Sequence, residues 1–142
     1  MLCLNESFYL LGDYLLRFLH TMLRVGNLDD SIKFYTETIG MTLLRQKEYP
    51  EGEFTLAFLG YGDESENTAL ELTHNWGIST YDIGKGFGHL AIEVEDVYEA
   101  TAKIKQQGGK IIRDAGPMNA GKTIIAFVAD PDGYEIELLG KK

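Results

Sequence analysis

At 142 residues the chain is long enough for one compact domain or two very small ones. A net charge of -9 excludes a nucleic-acid partner, which would need clustered Lys and Arg. A lone cysteine, Cys3, excludes an intrachain disulfide or a cysteine metal cluster and suits a reducing, cytoplasmic setting; no apolar run approaches the roughly 20 residues that span a bilayer, so no membrane partner is expected.

Residues 1–17, MLCLNESFYLLGDYLLR, have neither the basic start nor the small-residue cleavage site of a signal peptide. They read as a dispensable N-terminal extension, with Leu10, Leu11, Tyr14 and Leu15 suited to a short amphipathic helix. The body begins near Phe18. His20 opens an alternating strand, in which His20, Met22 and Arg24 share one face and Leu19, Leu23 and Val25 the other. Asn27-Leu28-Asp29-Asp30 is a helix start with an Asn cap and acidic first turn. Leu28, Ile32 and Tyr35 form its apolar stripe, and Gly40 ends it. Strands follow at 41–47, 54–62 and 69–75, then a linker near 76–86.

The same order then repeats. His89 opens a strand, Glu95-Asp96-Val97 starts a helix striped by Val97, Ala100, Thr101 and Ile104, and Gly108 ends it. Strands follow at 110–114, 122–130 and 134–140, with Asp130-Pro131-Asp132-Gly133 as a strong turn signal. The fold class is therefore α+β, two tandem βαβββ modules at 18–80 and 81–142, forming curved mixed sheets. One such unit leaves an apolar face and two strand edges open, so the two must pair, within the chain or across a dimer.

Four residues occupy matching places in this repeat. His20 precedes Glu71 by 51 residues and His89 precedes Glu137 by 48. Each His opens the first strand of its module, and each Glu sits between large aliphatics in the last. A carboxylate there is costly if buried without a partner and natural beside a cation. Two imidazoles and two carboxylates suit Ni, Co, Zn, Fe or Mn, with open positions left in an octahedron. Alternation points His74 away from Glu71, and Glu135 aligns with Ala69 rather than with Glu71. Tyr35 and Tyr134 read as packing residues.

From Leu19 to Lys142 the chain resembles the glyoxalase I family of the vicinal oxygen chelate superfamily. The matching strings are LHTMLRVGNLDDSIKFYTETIGM, LAFLGYG, ELTHNWG, GFGHLAIEVEDVYEA and AFVADPDGYEIELL. The resemblance implies a single glyoxalase-type domain over 18–142 and a homodimer whose active sites lie between subunits. It implies metal ligands His20, Glu71, His89 and Glu137, one His–Glu pair from each chain. It further implies lactoylglutathione lyase activity, which isomerises the hemithioacetal of glutathione and methylglyoxal to S-lactoylglutathione through an enediolate and so detoxifies methylglyoxal. Glu137 is then the base, with Glu71 its near-symmetric counterpart. Arg24 and Asn75 fall where family members contact glutathione carboxylates. Lys85 stands where some carry arginine, keeping the charge without the planar fork, and Lys122 in the Ala120-Gly121-Lys122-Thr123 loop is a further anionic-substrate contact. Zinc-preferring members often have glutamine at the first ligand and longer loops; His20 and the short linker imply Ni(II), with Co(II) or Zn(II) the alternatives. Rival activities on this fold are a thiol transferase, an acyl-CoA epimerase, an extradiol dioxygenase with only one carboxylate ligand, or a metal-free binding module.

A chain that starts at Leu16, with Met substituted there, should keep full activity and dimerisation. Size-exclusion chromatography and an ultraviolet assay check this, and loss of either would show that the extension packs on the body.

Overall fold

The computed structural model describes residues 9–11 and 14–141. Two short strands, β1 (Tyr9–Leu11) and β2 (Tyr14–Leu16), pair antiparallel, with Leu11 opposite Tyr14. Residues 9–11 and 14–16 of the extension thus pair as strands where the apolar spacing suggested a helix; its residues 1–8 lie outside the described residues. So short a stretch of such spacing cannot nucleate a helix without a body to pack on.

The first module follows as β3 (His20–Arg24), α1 (Leu28–Lys33), β4 (Thr42–Tyr49), β5 (Phe54–Gly60) and β6 (Ala69–Asn75). The second is β7 (His89–Val94), α2 (Val97–Gln106), β8 (Lys110–Pro117), β9 (Ile124–Ala129) and β10 (Glu135–Gly140). Each builds a four-stranded mixed sheet, in the orders β3-β6-β5-β4 and β7-β10-β9-β8. In each the first strand lies parallel to the last, and the other pairs are antiparallel. The bulges also correspond, between Leu43 and Arg45 on β4 and between Ile111 and Arg113 on β8. Tandem βαβββ modules are therefore the observed fold.

Local chemistry sets the helix ends. Asn27 Oδ1 accepts from the Asp30 amide at 3.0 Å, and Asp96 Oδ1 from the Glu99 amide at 3.0 Å. Beyond Lys33 the first helix widens into a π-helical turn, Phe34–Thr38, which turns both Phe34 and Tyr35 into the core. Gly40 and Gly108 follow the two helices at φ 81° and 80°, where a side chain would be strained.

One core serves both modules. Leu23, Val25, Leu59 and Leu72 from the first cluster with Ile104, Val128, Ile136 and Leu138 from the second. The Asp130–Gly133 turn ties the modules together by polar contacts. Asp132 accepts from the Gly26 amide at 2.8 Å and from Ser31 Oγ at 3.3 Å. Asp130 accepts from the Tyr35 hydroxyl at 2.8 Å, and the Tyr134 hydroxyl donates to the Arg24 carbonyl at 2.8 Å. The linker closes over the same corner: a Cβ on Gly26 would overlap the Ser79 carbonyl. Among the described residues no helix is long and apolar enough to cross a membrane.

Burial pushes the Asp130 carboxyl above its usual range, while the Tyr35 hydroxyl and the Tyr134 amide pull it back. Burial and the neighbouring Asp130 push the Tyr35 phenol far up, so it stays a donor. A carboxyl whose folded pKa is raised stabilises the fold at acid pH, and that contribution is lost as pH rises through the raised value. The Tyr35 bond offsets the loss, since it favours the ionised form. Tyr35→Phe should therefore cost about 1–3 kcal/mol near neutral pH. The deficit should shrink as the pH falls through the Asp130 pKa. Urea denaturation at several pH values checks both statements.

Candidate metal centre

Strand pairing brings each His to its Glu. In β3 and β6 the register sets His20 opposite Ala69 and Met22 opposite Glu71. His20 and Glu71 are therefore diagonal neighbours on the face turned away from the core, close enough for long side chains to meet. The His20 Nε2 to Glu71 Oε2 distance is 2.8 Å. In β7 and β10, His89 is opposite Glu135 and Ala91 opposite Glu137. The diagonal pair is again His with Glu, at 3.0 Å from His89 Nε2 to Glu137 Oε2. The imidazoles are 38% and 40% exposed and the carboxylates 12% and 17%. Each pair thus presents nitrogen to the solvent side and keeps its carboxylate shielded.

An aromatic ring supports each pair. Phe58 is opposite Glu71, and Phe127 opposite Glu137. Each meets its imidazole edge to face, at 5.5 Å for His20–Phe58 and 5.2 Å for His89–Phe127. The sequence reading missed both rings, although the repeat holds the signal: Ala57-Phe58-Leu59 aligns with Ala126-Phe127-Val128. Behind Phe58 sits Arg45, its guanidinium 3.6 Å from the ring centroid and held in a two-pronged bond to Glu64 at 2.8 and 3.1 Å. The equivalent Arg113 instead donates to the carbonyls of Gly116, Ile125 and Pro117.

The remaining predicted residues fall in several places. Arg24 is exposed on the face that carries His20. Asn75 ends β6 on the Glu71 face and donates from Nδ2 to the Tyr81 hydroxyl at 3.0 Å. His74 lies on the other face with Nδ1 3.2 Å from the Val25 carbonyl, away from the pair as alternation required. Lys85 is exposed in the linker and Lys122 in the β8–β9 loop. Tyr35 and Tyr134 are buried, consistent with packing.

The donor types fit a divalent first-row ion, since each pair offers imidazole nitrogen and carboxylate oxygen. They do so in halves. Among the described residues no group of three or more His, Cys, Asp or Glu side chains is gathered tightly enough to hold a metal.

Comparisons with known proteins identify the family to which the chain belongs. The model of the Glyoxalase/Bleomycin resistance protein/Dioxygenase superfamily matches residues 17–138. A lactoylglutathione lyase of Neisseria meningitidis is 61% identical over 127 residues, covering 89% of this chain and 92% of that protein. A probable lactoylglutathione lyase of Synechocystis is 63% identical over 121 residues, covering 85% and 92%. Among solved structures, glyoxalase I from Zea mays superposes with TM-score 0.86 at 54% identity over 88% of this chain, which spans only 44% of the maize chain. The trypanothione-dependent glyoxalase I of Leishmania major superposes with TM-score 0.79 at 51% identity, covering 87% of this chain and 86% of that one.

Proposed function

We infer that this chain, which belongs to the Glyoxalase/Bleomycin resistance protein/Dioxygenase superfamily, is a lactoylglutathione lyase, converting the methylglyoxal–glutathione hemithioacetal to S-lactoylglutathione. The observation that carries this reading is identity of 61% across nearly the whole length of a lactoylglutathione lyase. The activity is metal-dependent and its thiol cosubstrate is glutathione. Methylglyoxal detoxification follows from the reaction. The single cysteine and the glutathione requirement support a cytoplasmic setting.

The proposed site joins His20 and Glu71 of one protomer to His89 and Glu137 of its partner, in a homodimer. The separation of the two pairs within one chain supports this pairing. A divalent ion bound there would supply Lewis acidity toward the two vicinal oxygens of the substrate. The chain's own residues do the rest. Glu137, shielded from solvent and 3.0 Å from His89 Nε2, is the base: it takes the proton from one carbon and returns it to the next. Glu71 occupies the equivalent place and is its near-symmetric counterpart. Phe58 and Phe127 fix the two imidazoles and keep water off one side of each pair. Arg24 and Asn75 hold a glutathione carboxylate. The carboxamide of Asn75 is already oriented by Tyr81, and one of its two amide hydrogens is left for the ligand. Lys85 and Lys122 are proposed as outer contacts for the anionic substrate.

The donor set and the histidine at the first ligand position support Ni(II), with Co(II) second. His20, Glu71, His89 and Glu137 would hold such an ion, which would supply Lewis acidity with room for the substrate's two vicinal oxygens. Zinc has no geometric preference of its own and can settle at lower coordination.

In an ultraviolet assay of S-lactoylglutathione formation, chelator should abolish activity. Ni(II) should restore it best, then Co(II), and Zn(II) poorly. Glu137→Gln should bind metal and lose turnover. Activity that survives complete metal removal would remove the metal-dependent reading, and zinc giving the highest kcat would remove the nickel assignment.

The shared site has its own test. His20→Ala and His89→Ala should each be inactive alone. After mixing and subunit exchange, a heterodimer has one site doubly altered and one intact, so roughly a quarter of wild-type activity should return. No recovery, with exchange demonstrated by native mass spectrometry, would place all four ligands in one chain.

A further inference from the structure

We propose that Arg45 is a positioning residue for the His20–Glu71 half of the candidate metal centre. Clamped by Glu64, it holds the Phe58 ring against the His20 imidazole and makes this the fixed half of the site, leaving His89–Glu137 the freer one; this rests on the shared-site reading above. Register places the parts. Arg45 is opposite Phe58 and Phe58 opposite Glu71, so the three side chains form one row on the face that carries His20. The guanidinium carbon of Arg45 lies 3.6 Å from the Phe58 ring centroid, and the same ring meets the His20 imidazole edge to face at 5.5 Å. Two bonds to the Glu64 carboxylate, at 2.8 and 3.1 Å, fix the plane of the guanidinium. Glu64 is fixed in turn: its carbonyl accepts from Arg17 Nη2 at 2.6 Å, and Arg17 lies just before His20 in the chain. The contacts therefore close on themselves, from Arg17 through Glu64, Arg45 and Phe58 to His20 and back along the backbone.

The second module has the same ring without the clamp. Arg113 is opposite Phe127, as Arg45 is opposite Phe58. Its guanidinium donates instead to the carbonyls of Gly116, Ile125 and Pro117. The two imidazoles are almost equally exposed, at 38% and 40%, so a difference in their freedom comes from what stands behind each ring and not from burial. Stability is not the clamp's role. Arg45 and Glu64 are 52% and 33% exposed, and an ion pair so open to water adds little to the folded state. An outer contact of this kind controls the orientation of a metal-binding imidazole, and its loss typically weakens metal affinity about ten- to a hundredfold. A base that must reach a substrate carbon needs one half of the site to hold while the other moves. Unlike restraints on two like pairs supply that.

The test begins with the metal-free protein. Nitrogen-15 relaxation of the imidazoles should show His89 more mobile than His20, and Arg45→Met should bring His20 to the mobility of His89 without moving Tm. Competition with a chromophoric chelator then reads Ni(II) affinity. Arg45→Met should weaken it about tenfold, the low end of the range for outer contacts because Arg45 acts through a ring. In the Ni(II)-saturated enzyme kcat should fall by a similar factor with KM nearly unchanged. Arg45→Lys should not rescue, since an ammonium keeps the charge but neither the fork nor the stack. In a Phe58→Leu background Arg45→Met should add nothing further to the loss of affinity. Arg113→Met should show the reverse pattern, lowering Tm through its lost bonds to backbone carbonyls and leaving Ni(II) affinity unchanged. Equal mobility of the two imidazoles in wild type, an unchanged Ni(II) affinity in Arg45→Met, or effects of Phe58→Leu and Arg45→Met that simply multiply would overturn the assignment. His20→Ala is the control for the underlying reading. If it weakens Ni(II) binding while Arg45→Met does not, only the Arg45 inference fails; if neither does, His20 is not a ligand and the reading of the metal centre fails with it.

Discussion

The parallel pairing of the first and last strands in each module is the constraint on which everything else depends. Parallel neighbours need a long crossover, here supplied by a helix and two antiparallel strands. The pairing brings together residues about fifty positions apart, a His that opens one strand and a Glu in the middle of the other. Their registers differ by two residues, so the side chains meet diagonally rather than head on. A shift of one residue would send either partner to the opposite face. The two pairs are thus consequences of register, and the same two-residue offset between His and Glu recurs in both copies.

The two faces of each sheet divide the labour. One face is aliphatic and joins a single core shared by both modules. The other carries His, Glu, Phe and the basic residues. Functional groups can be arranged there because the core face has already met the demand for apolar burial. The corner where the modules join is polar but closed. Asp130 and Asp132 receive donors from Gly26, Ser31 and Tyr35, and Tyr134 holds the Arg24 carbonyl. The second module therefore steadies the strand end from which Arg24 projects, so the position of a residue of one module depends on a turn of the other.

The modules are similar without being equivalent. Arg45 stacks on Phe58, while Arg113 spends its donors on backbone carbonyls. His20 faces Ala69 across its ladder, whereas His89 faces Glu135. Two near-symmetric His–Glu pairs set among unlike surroundings would let the proposed site bind an asymmetric substrate in one orientation, which proton transfer between two distinct carbons requires.

Much of this was legible in the sequence because strand alternation, helix caps and turn residues are local properties. The period of two assigned His20, Glu71, His89 and Glu137 to faces, and set His74 apart. Asn27, Gly40 and Asp130-Pro131-Asp132-Gly133 marked helix start, helix end and turn, each through its own backbone chemistry. The repeat then made four separate residues into two matching pairs. Only the tertiary structure decided what depends on residues distant along the chain. It decided that each His lies diagonal to its Glu, that Phe58 and Phe127 meet the imidazoles, and that the two pairs stand apart within one chain. Residues 9–11 and 14–16 show the same limit, since an apolar spacing that fits a helix also fits paired strands, and pairing settles which one forms. Register and packing are set by the free energy of the whole core, and no short window of sequence contains it.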